Sequence, residues 1–474
     1  MTRNRTRNSA LERASRYFDS GSFLADLDRR VGYRTESEEA DRATTLLEYL
    51  EREIAPSLHE LGFATRIVDN PSASRGPFLV AHRHEGDALP TVLSYGHGDV
   101  VRGHDSRWRA GLAPWRVTVE GEHWYGRGTA DNKGQHTINL AALRAVFAER
   151  GGQLGFNAKI IFEMGEEMGS PGLRDTCTAL REELASDVFI ASDGPRVAAE
   201  RPTLFLGSRG VVGFELSVDL RDSAYHSGHW GGALRNPGVV LANAIASLVD
   251  GQGRITIDAL RPPPLTGPIR SALAEVAVGG GAEDPDVDAD YGEPGLTPAE
   301  RVFGWNTLEV LAFGTGNPAK PVYAIPGRAS AICQLAYVVG TDGEGAEAAI
   351  RQHLDRHGFT CVDLSVTLHM PATRLDIDDP WVRWASDSVA RTTGSAPVIL
   401  PNIGGAVPND IFADVLGLPT LWVPHSYPGC RQHAPDEHLL GGVAREGLRM
   451  MTGLFWDLGE ACCTPSGRPS RLYP

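Results

Sequence analysis

The stretch Lys159-Ile-Ile-Phe-Glu-Met-Gly-Glu-Glu-Met-Gly-Ser170 constrains the fold more than any other part of the chain. An apolar run ends in two adjacent carboxylates set among glycines, which reads as a buried strand delivering acids to a loop at its end. Neighbouring carboxylates repel, and in a dry site one of them stays ionised only beside a cation. A divalent metal resolves the conflict, with one glutamate binding the ion and the other taking a proton from the water it activates. An isolated Glu-Glu pair is more often a solvated turn, so the rest of the chain decides.

Ahead of this stretch, residues 11–61 carry Leu46, Leu47, Leu50, Ile54 and Leu58 at helical spacing, and apolar runs at 63–68, 78–82 and 91–95 read as strands. Strands alternating with helical stretches predict an α/β architecture whose ligands gather at the carboxyl ends of the strands. The third run ends in Gly96-His-Gly-Asp99. Residues two apart on extended backbone face the same way, so His97 can bind metal while Asp99 holds its second ring nitrogen. His104-Asp105, in a loop, reads as surface. Asp131 precedes a helix predicted over 134–150 and is either its cap or a ligand. The glycines around it lack P-loop spacing, which disfavours nucleotide binding. After a helix over 171–184, a strand at 187–191 delivers Asp193. Four strand or loop ends thus offer His97, Asp131, Glu166 with Glu167, and Asp193 on one edge, more than chance supplies.

From about residue 208 the pattern changes to alternating strands, at 211–219, 307–313, 329–339 and 362–368, with helices at 239–248 and 346–357. The acids between Gly279 and Pro298 imitate a calcium loop, but Ala289 and Gly295 stand where its glycine and closing glutamate belong, so this reads as solvated loop. A helix over 380–393, another over 409–416, a strand at 420–423 and a final helix over 436–458 return to the first pattern. The organisation expected is a domain in two halves, 1–207 and 376–474, holding a smaller α/β unit inserted at 208–375.

At 474 residues the chain exceeds one ordinary core. A net charge of -15 argues against nucleic acid or an anionic membrane as partner. Six cysteines without CxxC spacing suggest neither a thiolate metal site nor a disulfide framework, and a cytoplasmic location follows as the expectation. No apolar run reaches membrane-spanning length. The basic start is followed too soon by Glu12, Asp19 and Asp26 for a transit peptide.

Five separated motifs, Gly96-His-Gly-Asp99, Gly126-Arg-Gly-Thr-Ala-Asp-Asn-Lys-Gly134, Glu166-Glu-Met-Gly-Ser170, Ser192-Asp-Gly194 and His433-Ala-Pro-Asp-Glu437, resemble in type and order those of the dinuclear metallopeptidase family M twenty. This is the group of aminoacylase, carnosinase and succinyl-diaminopimelate desuccinylase. The resemblance implies a metal-dependent hydrolase of an amide or peptide bond in a small molecule, of the dipeptide or N-acyl amino acid kind. It implies two divalent metal ions, zinc first, with manganese or cobalt also suited to an all-N/O set. His97 and Asp193 would hold one ion, Glu167 and His433 the other, and Asp131 would bridge them. Glu166 would be the general base and acid, and Asp99 would orient His97.

The family's smaller domain is a lid that supplies dimer contacts, which implies a homodimer. His226 matches a lid histidine that stabilises the oxyanion in the partner's site; its neighbour His229 has no match. Asn236 is a further candidate for substrate binding. One departure stands out: the family arginine that grips a substrate carboxylate, ten residues after the proline matching Pro326, is here Ala336. Arg328 shares its face but lies too far along the strand to substitute. Arg431 is the remaining candidate cation. The departure favours a substrate without a free carboxylate there, and keeps open an amidohydrolase or deaminase acting on a non-peptide compound. A catalytically weak binding protein of the same fold is the alternative from another class, opposed by the intact Glu166 and ligands.

Overall fold

The computed structural model describes residues 5–72, 76–279, 285–460 and 465. Cys462, Cys463, Asp284 and the first residues of the basic start lie outside them. A mixed eight-stranded sheet runs in the order Ala64–Val68, Phe78–Arg83, Asn157–Glu163, Thr91–His97, Val188–Ala191, Thr420–Trp422, Thr203–Phe205, Val398–Leu400. Its central strands, from Asn157–Glu163 to Thr420–Trp422, are parallel, so their carboxyl ends share one edge.

The period of two along these strands explains both cores. Leu79, Ala81, Val92, Ala158, Ile160 and Phe162 face one side with helices Arg7–Asp19, Lys133–Glu149, Pro380–Thr393 and Gly441–Leu458. Val80, Leu93, Tyr95 and Ile161 face the other, against Phe412 and Trp422.

A second, wholly antiparallel sheet has the order Thr307–Thr315, Arg328–Tyr337, Gly210–Asp219, Asp363–Met370. Helices Pro237–Leu248 and Ala346–Arg356 cover one of its faces around Phe214, Leu216, Cys333 and Leu335. The chain enters and leaves this unit through a short ladder in which Thr373 pairs Ser208 and Arg374 pairs Gly207. A Cβ on Gly207 would lie 2.0 Å from Thr373 O, so only glycine permits that approach.

One segment of the expected insertion packs elsewhere. Helices Gly267–Leu273 and Pro298–Gly304 place Ile269, Leu273 and Ala299 in the core beside Phe205 and Leu400 of the large sheet, not in the core of the small one. We call residues 261–279 and 285–305 the strap.

Several boundaries also differ from the pattern of the sequence. The helix expected over 171–184 breaks into Leu173–Ala179 and Arg181–Leu184, and that over 409–416 is a π-turn at Ile411–Val415. The last helix begins at Gly441, because His438–Leu440 first pairs with His123–Tyr125 as a strand. Arg431, His433 and Asp436 take positive φ just before it, which no helix tolerates.

Candidate metal centre

The carboxyl ends of the parallel strands bring His97, Asp99, Glu166, Glu167 and Asp193 together, and the start of the Lys133–Glu149 helix adds Asp131. Ligand atoms of His97, Asp131 and Glu167 all lie within 4.8 Å of one another. His97 Nε2 is 3.0 Å from Asp131 Oδ1 and 3.6 Å from Asp193 Oδ2. His433 Nε2 is 3.2 Å from Asp131 Oδ2 and 3.0 Å from Glu167 Oε2. Each oxygen of Asp131 therefore faces a different imidazole. Glu166 stands beside this ring, its Oε2 4.0 Å from His97 Nε2.

Asp99 holds the arrangement from behind. It is fully buried, lies 3.4 Å from His97 Nδ1, and accepts from the backbone N–H groups of Glu166 and Glu167 at 3.2 Å each. It thus fixes the ring of His97, leaving Nε2 toward the cluster, and the turn that carries the glutamate pair.

The electrostatics are those of a site short of positive charge. Hydrogen bonds to Asp131 and Glu167 lift His433 to about 11. Burial opposes protonation of His97, yet its carboxylate neighbours, led by Asp131, still raise it well above the ordinary value. Burial and then Asp131 push Glu167 up to about 7. Burial also works on Asp131, but the bonds from His433 and His97 prevail and hold it below the usual carboxylate range. Converging imidazole and carboxylate donors with no lysine or arginine among them fit divalent cations of the zinc, manganese or cobalt type.

Two supporting residues escape a reading of the sequence for ligands. Glu437 is fully buried and paired with Arg127 at 2.5 Å; its Oε1 also accepts from the N–H groups of Gly128, Ala130 and Asp131 at 3.0–3.2 Å. It clamps the loop that presents Asp131, and the signal was present as an acid in one motif and an arginine in another. Glu163 accepts from Tyr95 Oη at 2.7 Å and Ser170 Oγ at 2.9 Å, tying together the ends of the loop that carries Glu166 and Glu167. Burial, then the charge of Asp99, raises its pKa to about 7.

The remaining candidates lie apart. His226 is exposed on a two-residue strand, its Nδ1 accepting from Gly228 N, and it does not line the cleft beside the cluster. Asn236 spends its side-chain oxygen capping Pro237–Leu248, accepting from Gly238 and Val239 N–H groups. Arg431 is exposed and likewise outside the cleft lining. Arg328 pairs with Asp219 at 2.9 Å, and Ala336 is buried between Val211 and Thr307.

Carboxylates and imidazoles converging at one edge of the large sheet form a candidate site for a divalent metal. The family follows from comparison: residues 93–457 match the sequence profile of Peptidase family M20/M25/M40, and the chain belongs to it. It is a metallopeptidase, cleaving peptide or amide bonds with the help of metal. The Beta-Ala-His dipeptidase of Mus musculus is 25% identical over 417 residues, 83% of this chain and 82% of that protein. The Cysteinylglycine-S-conjugate dipeptidase of Corynebacterium striatum is 33% identical over 207 residues, a match spanning under half of either protein at 43% and 44%. Among solved structures, human carnosine dipeptidase 1 superposes with a TM-score of 0.80 at 22% identity, covering 95% of this chain and 99% of that one. That likeness is one of fold. No helix among the described residues is long and apolar enough to cross a membrane.

Proposed function

We propose that the chain is a dinuclear metallopeptidase that hydrolyses a small dipeptide-like or N-acyl amino acid substrate, with zinc as its metal. The observation that carries this reading is Asp131, whose two oxygens face His97 and His433 separately. His97 and Asp193 would hold one ion, His433 and Glu167 the other, with Asp131 shared. Ions held there supply a water of lowered pKa and polarise the scissile carbonyl. Glu166 lies beside the ligands and is free to take the water's proton and return it to the leaving amine. Asp99 keeps the turn of Glu166 in register with His97. Metal analysis combined with a hydrolysis screen over dipeptides, N-acyl amino acids and amidated analogues tests this. Two ions per chain with turnover are expected; a fully active protein with one ion overturns the dinuclear assignment.

The lid role of residues 208–375 and a homodimer belong to the same reading. Thr307–Thr315 is an edge strand with Leu311 60% and Phe313 46% exposed, a surface that pairing with a second copy would cover. His226 would then serve the partner's site. Free thiols at Cys177, Cys333, Cys361 and Cys430 suit the cytoplasm.

A specific observation favours substrates without the usual free carboxylate. Ala336 offers no cation, and Arg196 in the cleft wall is committed to Glu446 at 2.5 Å and to the carbonyls of Ala199 and Pro424. A charge-assisted bond is worth roughly 1.5–3 kcal/mol, so an ordinary free-acid dipeptide should lack about one to two powers of ten in kcat/KM. Paired substrates ending in carboxylate and neutral amide test it. Wild type should favour the amide and Ala336→Arg should recover the acid; a strong preference of wild type for the acid overturns it.

A further inference from the structure

The cleft beside the cluster holds about 1150 Å³ and is lined at one end by Asp131, Glu166, Asp193 and His433. From there it runs along a wall of Val302, Phe303, Leu400, Ile403 and Val407. The wall reaches the reacting end: the Cδ1 of Ile403 lies 2.4 Å from where a Cβ on Gly194 would stand, one residue after Asp193. Gly404 lies bare against Val302 and Phe303, at 3.2 and 3.5 Å from its own missing Cβ, so the strap and the 400–407 segment form one surface.

That surface is fixed by hydrogen bonds to its backbone. Asn402 Nδ2 donates to Phe303 O at 3.0 Å, and Arg209 Nη1 donates to Val302 O at 3.0 Å. The second terminal nitrogen of Arg209 donates to Thr307 Oγ1 at 2.8 Å and to Ala336 O at 2.9 Å, so this buried arginine pins the strap to the small sheet. Its charge is spent on carbonyls and does not face the cleft. A rigid apolar wall beginning at the metal ligands, with the charge of Arg196 already neutralised, has no use for a charged group and gains from an apolar one.

We propose that Val302, Phe303 and Ile403 form a specificity subsite for an aliphatic or aromatic group adjoining the scissile bond of the substrate. This rests on the reading of the protein as an amide hydrolase. The acyl half or the amine half of the substrate can supply the group, and two substrate series separate them. In one, Gly, Ala, Leu and Phe vary on the acyl side with Gly on the amine side; in the other the order is reversed. The metal-loaded full chain should show one series rising about fourfold per buried methylene, roughly 50-fold in kcat/KM from Ala to Leu. Phe303→Ala, which keeps the backbone carbonyl that Asn402 holds, should cut that ratio about tenfold, as should Ile403→Ala. Metal content and melting temperature of each variant identify misfolding.

A profile flatter than threefold in both series, with measurable turnover, overturns the subsite and leaves the hydrolase standing. A ratio unchanged in both folded variants overturns it too. Absence of turnover on any amide by fully metal-loaded protein overturns the hydrolase reading and the subsite with it.

Discussion

The two sheets treat their chemistry-bearing residues in opposite ways. On the large sheet several candidates are held by a second residue: Asp99 stands behind His97, Glu437 behind Asp131, and Glu163 behind the Glu166–Glu167 turn. On the small sheet and its loops, His226 is exposed and bonded only locally, and the outer strand presents Leu311 and Phe313 to solvent. A reacting group must be held to a fraction of an ångström, and within the single chain the first region meets that demand where the second does not.

Variants of the two regions should break that contrast or sharpen it. The largest effect is expected at Glu166. Glu166→Gln should lose about 10²–10⁴-fold in kcat with metal retained, as expected of a residue proposed to move a proton and bind no ion. Glu167→Ala should lose metal instead, and equal metal content in both variants would show the pair to be assigned the wrong way round.

His226→Ala comes next, with a loss of about a hundredfold at full metal content if the imidazole donates to the oxyanion. Mixing His226→Ala subunits with Glu166→Gln subunits should restore activity. No recovery after verified exchange would show that the small sheet's histidine does not serve a partner's site.

Glu163 tests the supporting layer through pH. Its folded pKa of about 7 lies above its ordinary 4.5, so the protonated carboxyl contributes stability that is fully present below the unfolded value and lost as pH rises through about 7. In metal-stripped protein, Glu163→Gln should therefore gain on wild type by roughly 2 kcal/mol between pH 5 and pH 8, read as the midpoint of denaturant unfolding. A difference independent of pH would place the ionised form in the fold. The smallest effect is expected at Arg431, whose exposed side chain lies outside the cleft. Arg431→Ala should change kcat/KM on free-acid substrates by less than about threefold.

This contrast also governs what the sequence discloses. The pairing of His97 with Asp99 was legible because a period of two puts both on one face of a strand. The acids at strand ends were legible because parallel strands share an edge. Glu437 was less so: its role depends on residues 126–131 folding back onto it, an approach no local pattern encodes. The strap was illegible for a related reason. An amphipathic turn such as Pro298–Gly304 announces that it buries a face without saying against which sheet. The late start of the last helix follows from positive φ at Arg431, His433 and Asp436, where three L residues take a conformation that sequence spacing does not mark.

The strap has a further consequence for movement. A unit joined to its neighbour only by the ladder of Gly207–Ser208 with Thr373–Arg374 could swing as a door does on one hinge. Here the strap leaves the small sheet and buries Ile269, Leu273 and Ala299 in the core of the large one before returning, so the door is also bolted on its free side. Opening by rigid rotation would have to draw these side chains out of a packed interior, which is far costlier than bending a loop. Because Arg209 also ties the strap to Thr307 and Ala336 of the small sheet while Asn402 holds Phe303 from the other side, the wall of Val302 and Phe303 is gripped by both units at once.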